Sequence, residues 1–369
     1  ARDRALAKMA LGQAIGAWIA WQATQGMLTG TGPEDKTKRI NMQNLGWSRN
    51  AVRVGAELYG YGRGFDPLGI VVGAIVDFVE MGSQLPHDSP WWQRWGVEFP
   101  LIATQAIGRQ VINKTYMQGL ADFMDAIKAP DERSRKLAMS FARSLIPTLV
   151  RDVAKMIDPE TKHITSVLEA MKAGVPGWSK TVAPNQNHIT GEIIYYPPGW
   201  GPDILSPITV TILKDDPVLQ QIVEHEIGVA PPGDYLGGRR VAAVLLREPT
   251  PQDGVFMDGW TRKRLIDIAT QDIKDGSGRT LHEHLGNIVR TWESLPPDDQ
   301  PSSRMRESQF RQAYDKYYDQ AEVRLLDERK DLKAALDKKK AERIIEKLPP
   351  GRQREAEETV KELGITLGR

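Results

Sequence analysis

MLTGTGPEDKTKRINMQNLGWSRNAVRVGAELYGYGRGFDPLGIVVGAIVDFV, residues 27–79, changes its hydrophobic period twice and sets the fold class. A charge-poor helix runs into Gly30-Thr31-Gly32-Pro33, which reads as a turn: glycine tolerates positive φ, and Pro33 neither continues a helix nor donates a backbone hydrogen bond. Ala51-Val52-Arg53-Val54 and Glu57-Leu58-Tyr59 flank Gly55-Ala56, the pattern of a hairpin with β-branched and aromatic arms. Arg63, Gly64, Phe65, Asp66 and Pro67 end it, and Leu68 to Met81 reads as a short apolar helix opened after Pro67. The glycine-rich run from Gly60 to Gly64 lacks the strand, turn and helix context and the Lys-Ser or Lys-Thr of a phosphate loop, so it reads as a turn.

Upstream, Met9 to Pro33 carries no charge, with Arg2, Arg4 and Lys8 before it. The length suffices for a bilayer, but Gln13, Gln22, Thr24 and Gln25 lower its apolarity, and no small-residue cleavage site follows. A packed helix, conditional membrane insertion and a constitutive span all fit Leu11, Ile15, Trp18 and Ile19. Gly12, Gly16 and Ala20, spaced by four, let a neighbouring helix approach closely. The chain opens on Ala rather than Met and is expected to be part of a longer product.

Downstream, Trp91, Trp92 and Trp95 form a cluster that suits an interface belt, a subunit contact or core anchoring. Two or three helices are expected from Pro100 to Ile157, the last running from Asp131 and kinked or split at Pro147. Between Gly174 and Pro251 the composition shifts to Pro, Gly and aromatics, giving an extended connector that wraps over another element or subunit. Within it, Ile208 to Ile212 alternates as one strand and Asp216 to Ile227 reads as a helix opened by Pro217. Helices follow at Trp260 to Gln271 and His282 to Leu295, then a long charged helix from Ser303 to Lys347. Its interspersed charges predict a solvated face, and Leu325, Leu326, Leu332, Leu336, Ile344 and Ile345 a narrow seam for a partner helix. A short helix from Gln353 to Leu363 closes the chain.

With 369 residues, 40% hydrophobic and 26% charged, the chain can bury real cores. The net charge of +1 gives no global case for nucleic acid, so phosphate or headgroup contact would be local, as at Lys338-Lys339-Lys340. Absence of cysteine excludes disulfides and thiolate metal sites. His282 and His284 are one residue apart and face different sides of a helix, whereas a zincin helix needs two His four apart; Glu224, His225 and Glu226 fail likewise. Glu307-Ser308 superficially matches the start of a lytic-transglycosylase motif, but the glycine-rich continuation is missing and no apolar pocket is expected around Glu307. No catalytic, cofactor or metal set emerges.

The order Leu28 to Pro33, Leu45-Gly46-Trp47, Val54-Gly55, Tyr59-Gly60-Tyr61 and Asp66-Pro67-Leu68-Gly69 before an apolar helix ending near Asp77 resembles a segment of the very large internal virion proteins of tailed bacteriophages. Ser144 to Pro147, Ile157-Asp158-Pro159, Gly177 to Lys180 and Ser206-Pro207 follow in the order of that segment. The likeness covers about Leu11 to Pro217 and weakens towards Ala321. Gly64 stands where the family's usual pattern has a second Arg, and Tyr195 to Trp200 is an elaboration. The resemblance implies a protein packed inside the capsid near the portal, ejected ahead of the genome, and assembled with sister ejection proteins into a conduit across the host envelope.

The expected fold is mainly α, a multi-helix elongated assembly with a small hairpin and a Pro/Gly-rich extended connector. The expected segments are 1–30 (charge-poor, insertable helix), 31–173 (helical core with hairpin), 174–251 (connector with a strand), 252–300 (helical) and 301–369 (charged long helix and C-terminal helix). Expected partners are further copies of the chain, sister ejection proteins and the portal, the host membrane, and phage DNA through non-specific contact, with no small-molecule substrate and no cofactor. Leu11, Ile15, Trp18, Ile19, Trp91, Trp92 and Trp95 are the candidate membrane or subunit contacts. Rival readings are a peptidoglycan hydrolase or protease whose catalytic domain lies outside this segment, and a portal-bound scaffold that never meets a membrane.

Overall fold

A computed structural model describes residues 2–61, 68–82, 99–112, 148–196, 208–238, 254–349 and 351–353, with 356 and 360. The fold is mainly α with a small antiparallel sheet. It divides into two compact units: residues 1–159, 166–180 and 195–224 form unit 1, and 160–165, 181–194 and 225–369 form unit 2.

In unit 1, α1 (Arg2–Thr24) is followed by α2 (Lys36–Asn44), a helix absent from the expectations above. Asp35 caps it, its carboxylate accepting from the N–H groups of Thr37 (2.7 Å) and Lys38 (3.1 Å), which satisfies two of the orphan donors of a helix start. Strands β1 (Ala51–Val54) and β2 (Glu57–Gly60) form the expected hairpin, with Gly55 at φ 65°. Strand β3 (Thr209–Ile212), the strand expected within the connector, pairs antiparallel with β2, giving the order β1-β2-β3. Helix α3 (Leu68–Gly82) packs on α1 and on α4 (Phe99–Ile112). Helix α5 (Thr148–Ile157) and α6 (Val167–Lys172), the latter opened by a capping box of Ser166 and Glu169, follow. Helix α7 (Pro217–Glu224) packs on α2. The chain between α2 and β1 is held against β3: Gly46 sits at φ 99°, where a Cβ would lie 2.1 Å from the Ile212 carbonyl oxygen. Pro147, where the helix from Asp131 was expected to kink, the Trp91 to Trp95 cluster and most of the closing helix lie outside the described residues.

Unit 2 contains the short ribbon β4 (Tyr235–Leu236) and β5 (Val255–Phe256), then α8 (Gly259–Asp267) running into a wide turn at Ile268–Asp272, and α9 (Leu281–Glu293). Thr280 and Glu283 cap α9 reciprocally. Replacing Thr280 by Ala should cost about 1 kcal/mol, measurable as a lower urea midpoint with faster amide exchange in the first turn of α9.

The charged run is two helices, α10 (Ser303–Glu328) and α11 (Lys330–Lys347), interrupted at Arg329, whose guanidinium turns onto Asp331 (2.8 Å) and Thr261 (3.2 Å). The solvated face is present, with Arg304, Arg311, Lys316, Asp319 and Arg324 exposed and Glu307 paired with Arg311 (3.1 Å), but the opposite face is wider than the expected narrow seam. Phe310, Ala313, Tyr314, Tyr317, Tyr318, Ala321 and Leu325 are buried along α10, which forms the spine of unit 2. Tyrosine enters a core when its hydroxyl finds an acceptor. Tyr314, Tyr317 and Tyr318 donate to the carbonyls of Ala230 (2.9 Å), Arg279 (2.8 Å) and His188 (2.9 Å), tying three separate loops to one helix. The leucine seam is likewise filled within the chain: Leu325, Leu326, Leu332, Leu336 and Ile345 are buried, and only Ile344 of the set is exposed. Residues 182–189, within the expected connector, are irregular and almost all buried in unit 2.

Candidate interaction surface

The turn at Gly30-Thr31 is built onto two acidic side chains of α3. The Gly30 N–H donates to Glu80 Oε1 (3.0 Å), and the Thr31 N–H and hydroxyl donate to Asp77 Oδ1 (2.7 and 3.0 Å). Gln110 of α4 donates to Asp77 Oδ2 (2.8 Å) and exchanges hydrogen bonds with the Asn50 amide. Asp77 is buried, and a Cβ at Gly30 would lie 2.1 Å from its Oδ1, so the turn reaches the carboxylate only because residue 30 is glycine. Thr29 continues the pairing to Ala51 in β1, and the Tyr61 hydroxyl donates to the Thr29 carbonyl (3.1 Å). Burial, with the Asp77 and Glu80 charges, pushes the Tyr61 phenol up, so it stays a donor. The clamp locks α1, the sheet and α3 into one frame.

That frame leaves an apolar surface open. Sheet register puts Val52, Tyr59 and Val210 in one row and Val54, Glu57 and Ile212 in the next, on the face opposite the buried Ala51 and Leu58. Val52, Val54 and Ile212 are exposed. Between this face, the C-terminal half of α1 and the first turns of α3 lies a groove of about 640 Å³, lined chiefly by Ile15, Trp18, Met27, Val52, Leu68 and Val72. Its lining is apolar apart from Gln22, Arg53 and the Tyr59 and Tyr61 hydroxyls; Arg53 donates to the Gly55 carbonyl (3.0 Å).

Of the sequence-predicted contacts, Leu11, Ile15 and Trp18 are exposed (62%, 50% and 59%), whereas Ile19 is buried at 7%. Gly16 faces Ile75 of α3, so this part of the small-residue stripe serves packing within the chain. Trp91, Trp92 and Trp95 lie outside the described residues. Val52 and Leu68 line this groove, and Val54 and Ile212 lie on the same sheet face as Val52; the strand residues escaped the sequence reading because alternation in a strand reveals two faces without saying which one is covered. Among the described residues, no helix is long and apolar enough to cross a membrane.

Among the described residues, the histidines with a side-chain hydrogen bond sit in unit 2. His225 receives an Arg306 N–H at Nε2 (2.9 Å), so Nδ1 carries the proton and donates to Ser303 (3.1 Å); it is turned the wrong way to activate that hydroxyl. His284 contacts Asp275 (3.0 Å), whose carboxyl is held far below the usual range, first by the Arg279 N–H and then by further donors that include His284. His163 contacts Asp234 (2.9 Å). Glu307 is solvent-accessible and paired with Arg311 (3.1 Å), beside a fully buried Phe310. Among the described residues no three His, Asp or Glu converge to hold a metal ion. In the Lys338 to Lys340 run, Lys339 donates to the Gly254 carbonyl (2.7 Å) and Lys340 lies 3.6 Å from Asp337, which leaves little concentrated charge for phosphate.

No known family model, curated protein or solved structure matches the chain.

Proposed function

We propose that the chain is a non-enzymatic structural segment of a phage internal virion protein, which oligomerises and helps form the conduit that carries the genome across the host envelope. It would be packed inside the virion and then reside in the envelope, with further copies, sister ejection proteins and the portal as partners. The observation that carries this reading is the use unit 1 makes of the residues behind the resemblance. Gly30, Thr31, Gly46, Tyr61 and Asp77 are spent on architecture, and beside them an apolar groove stays open. Exposed apolar patches rimmed by polar residues are a common mark of protein or membrane interaction sites.

Quantitative mass spectrometry of virions before and after genome release tests the reading. The polypeptide is expected to leave the particle with the DNA and to fractionate with the host envelope. Retention in the emptied particle would overturn it in favour of a head-internal scaffold.

A further inference from the structure

Helix α1 has two different sides. Gly16, Ile19, Ala20 and Ala23 share the side on which Gly16 faces Ile75 of α3, and they are buried or half-buried. On the other side Arg4, Ala7, Leu11, Ala14, Trp18 and Trp21 recur at alternating steps of three and four, and all are exposed. A period of about 3.5 residues is the seam of a helix pair. In it Leu11, Trp18 and Trp21 leave 62%, 59% and 57% of their surface open. Apolar stripes on opposite sides cancel, which is why the helix as a whole shows no amphipathic pattern.

We infer that α1 packs antiparallel on α1 of a second copy of the chain, about a two-fold axis near Gly12 and Gln13. This rests on the oligomer reading above and names a surface that makes it. What selects a second copy is that the seam complements its own reverse. Two copies running antiparallel over nearly the whole helix bring Ala7 opposite Trp18, Leu11 opposite Ala14 and Arg4 opposite Trp21. Each layer joins a large side chain to a small one or a guanidinium to an indole, so the seam fills evenly and Arg4 gains a cation–π contact. A parallel pair would set Trp on Trp, Ala on Ala and Arg4 on Arg4, and the exposed Asp3–Lys8 pairs it would gain are worth little. The antiparallel pair also lays Arg4 and Lys8 beside the partner's uncharged last turn, where the helix dipole is negative. Both copies present the same patch, so its roughly 600 Å² of exposed surface, with Ile15 at its border, counts twice; a pair total of about 1,200 Å² is the lower edge of specific interfaces. An isologous contact stops at two copies, so larger assembly falls to other surfaces.

Sedimentation velocity on the whole chain tests the contact, and oxidative cross-linking of single-cysteine variants tests its direction, since the chain has no cysteine of its own. The wild-type chain should associate, and Leu11→Asp with Ala14→Asp should weaken that association roughly 100-fold. Met9→Asp, as exposed as Leu11 but on the far side of the helix from the seam, should leave it unchanged. Native amide exchange in α3 checks that each variant stays folded. Ala14→Cys, close to the axis, should link to its counterpart, whereas Ala7→Cys, about 16 Å along the helix from its own, should not. If Ala7→Cys links to itself as readily as Ala14→Cys, the helices run parallel and the antiparallel assignment is overturned. If the Leu11 and Ala14 double variant associates like wild type, this seam is wrong while the oligomer reading stands. A wild-type chain that stays monomeric, whether free or floated on phosphatidylglycerol vesicles, overturns both.

Discussion

Replacing Asp77 by Ala is expected to cost unit 1 about 4 kcal/mol, from orphaned donors at roughly 1–3 kcal/mol each. The Thr31 N–H and the Gln110 amide N–H both point at this carboxylate in a buried site, and neither has water to turn to. Asp77→Asn should cost about half as much. Its amide oxygen can keep the Thr31 bonds, and a flipped Gln110 can meet the new NH₂ while re-pairing with Asn50. The readout is urea denaturation combined with hydrogen exchange across residues 27–31 and α3. Protection should collapse there in Asp77→Ala while α10 in unit 2 keeps its exchange rates. A loss below about 1 kcal/mol would mean that the turn is held by something other than this carboxylate.

The second large effect is a pH dependence confined to unit 2. His188 is buried, with one ring nitrogen at the Val229 carbonyl (3.3 Å) and its edge against Tyr314. Burial pushes its imidazole down to about 4, the nearby Arg262 charge acts in the same direction, and the Val229 bond opposes them. The sign follows from linkage. Above the unfolded value of 6.5 both states are neutral and nothing is lost. Between 6.5 and about 4 the unfolded chain takes up a proton that the folded core refuses, so stability falls as pH falls. The total is roughly 3 kcal/mol by the folded value, with no further loss from this group below it. The described carboxylates held low, Asp275, Glu283, Asp327, Glu328 and Asp331, act in a lower window: their contribution is present above their unfolded values near 4 and is lost as pH falls below them. Urea midpoints measured from pH 7 to pH 4, with hydrogen exchange reading α10, check this. His188→Phe should remove most of the slope in that window, at a nearly constant cost of about 1 kcal/mol for the lost hydrogen bond.

The hairpin, α3, the strand at 209–212 and the starts of α7 and α9 were legible because each depends on neighbours a few residues away. Gly55 supplies the turn, Pro217 opens a helix, and apolar periodicity runs unbroken through Leu68 to Met81. Helix α2 was legible in principle, since Asp35 before Lys36 is an N-cap, but its weak apolar pattern hid it. The role of α10 was not legible. A run of Tyr between Lys, Asp and Gln reads as solvated until the loops at 188, 230 and 279 supply the acceptors for the three hydroxyls.

What the amino-acid order determined alone was therefore the set of local elements, the mainly helical class and the exclusion of thiolate chemistry. The tertiary structure decided which faces are spent and which remain. It buried Ile19 while leaving Leu11, Ile15 and Trp18 exposed, placed Asp77 under Thr31, and left one face of a strand trio open by bringing β3 from about 150 residues downstream. The physical reason is that backbone propensity and periodicity act over one or two turns of chain, whereas burial is a property of whatever surface arrives opposite, and that surface comes from distant sequence.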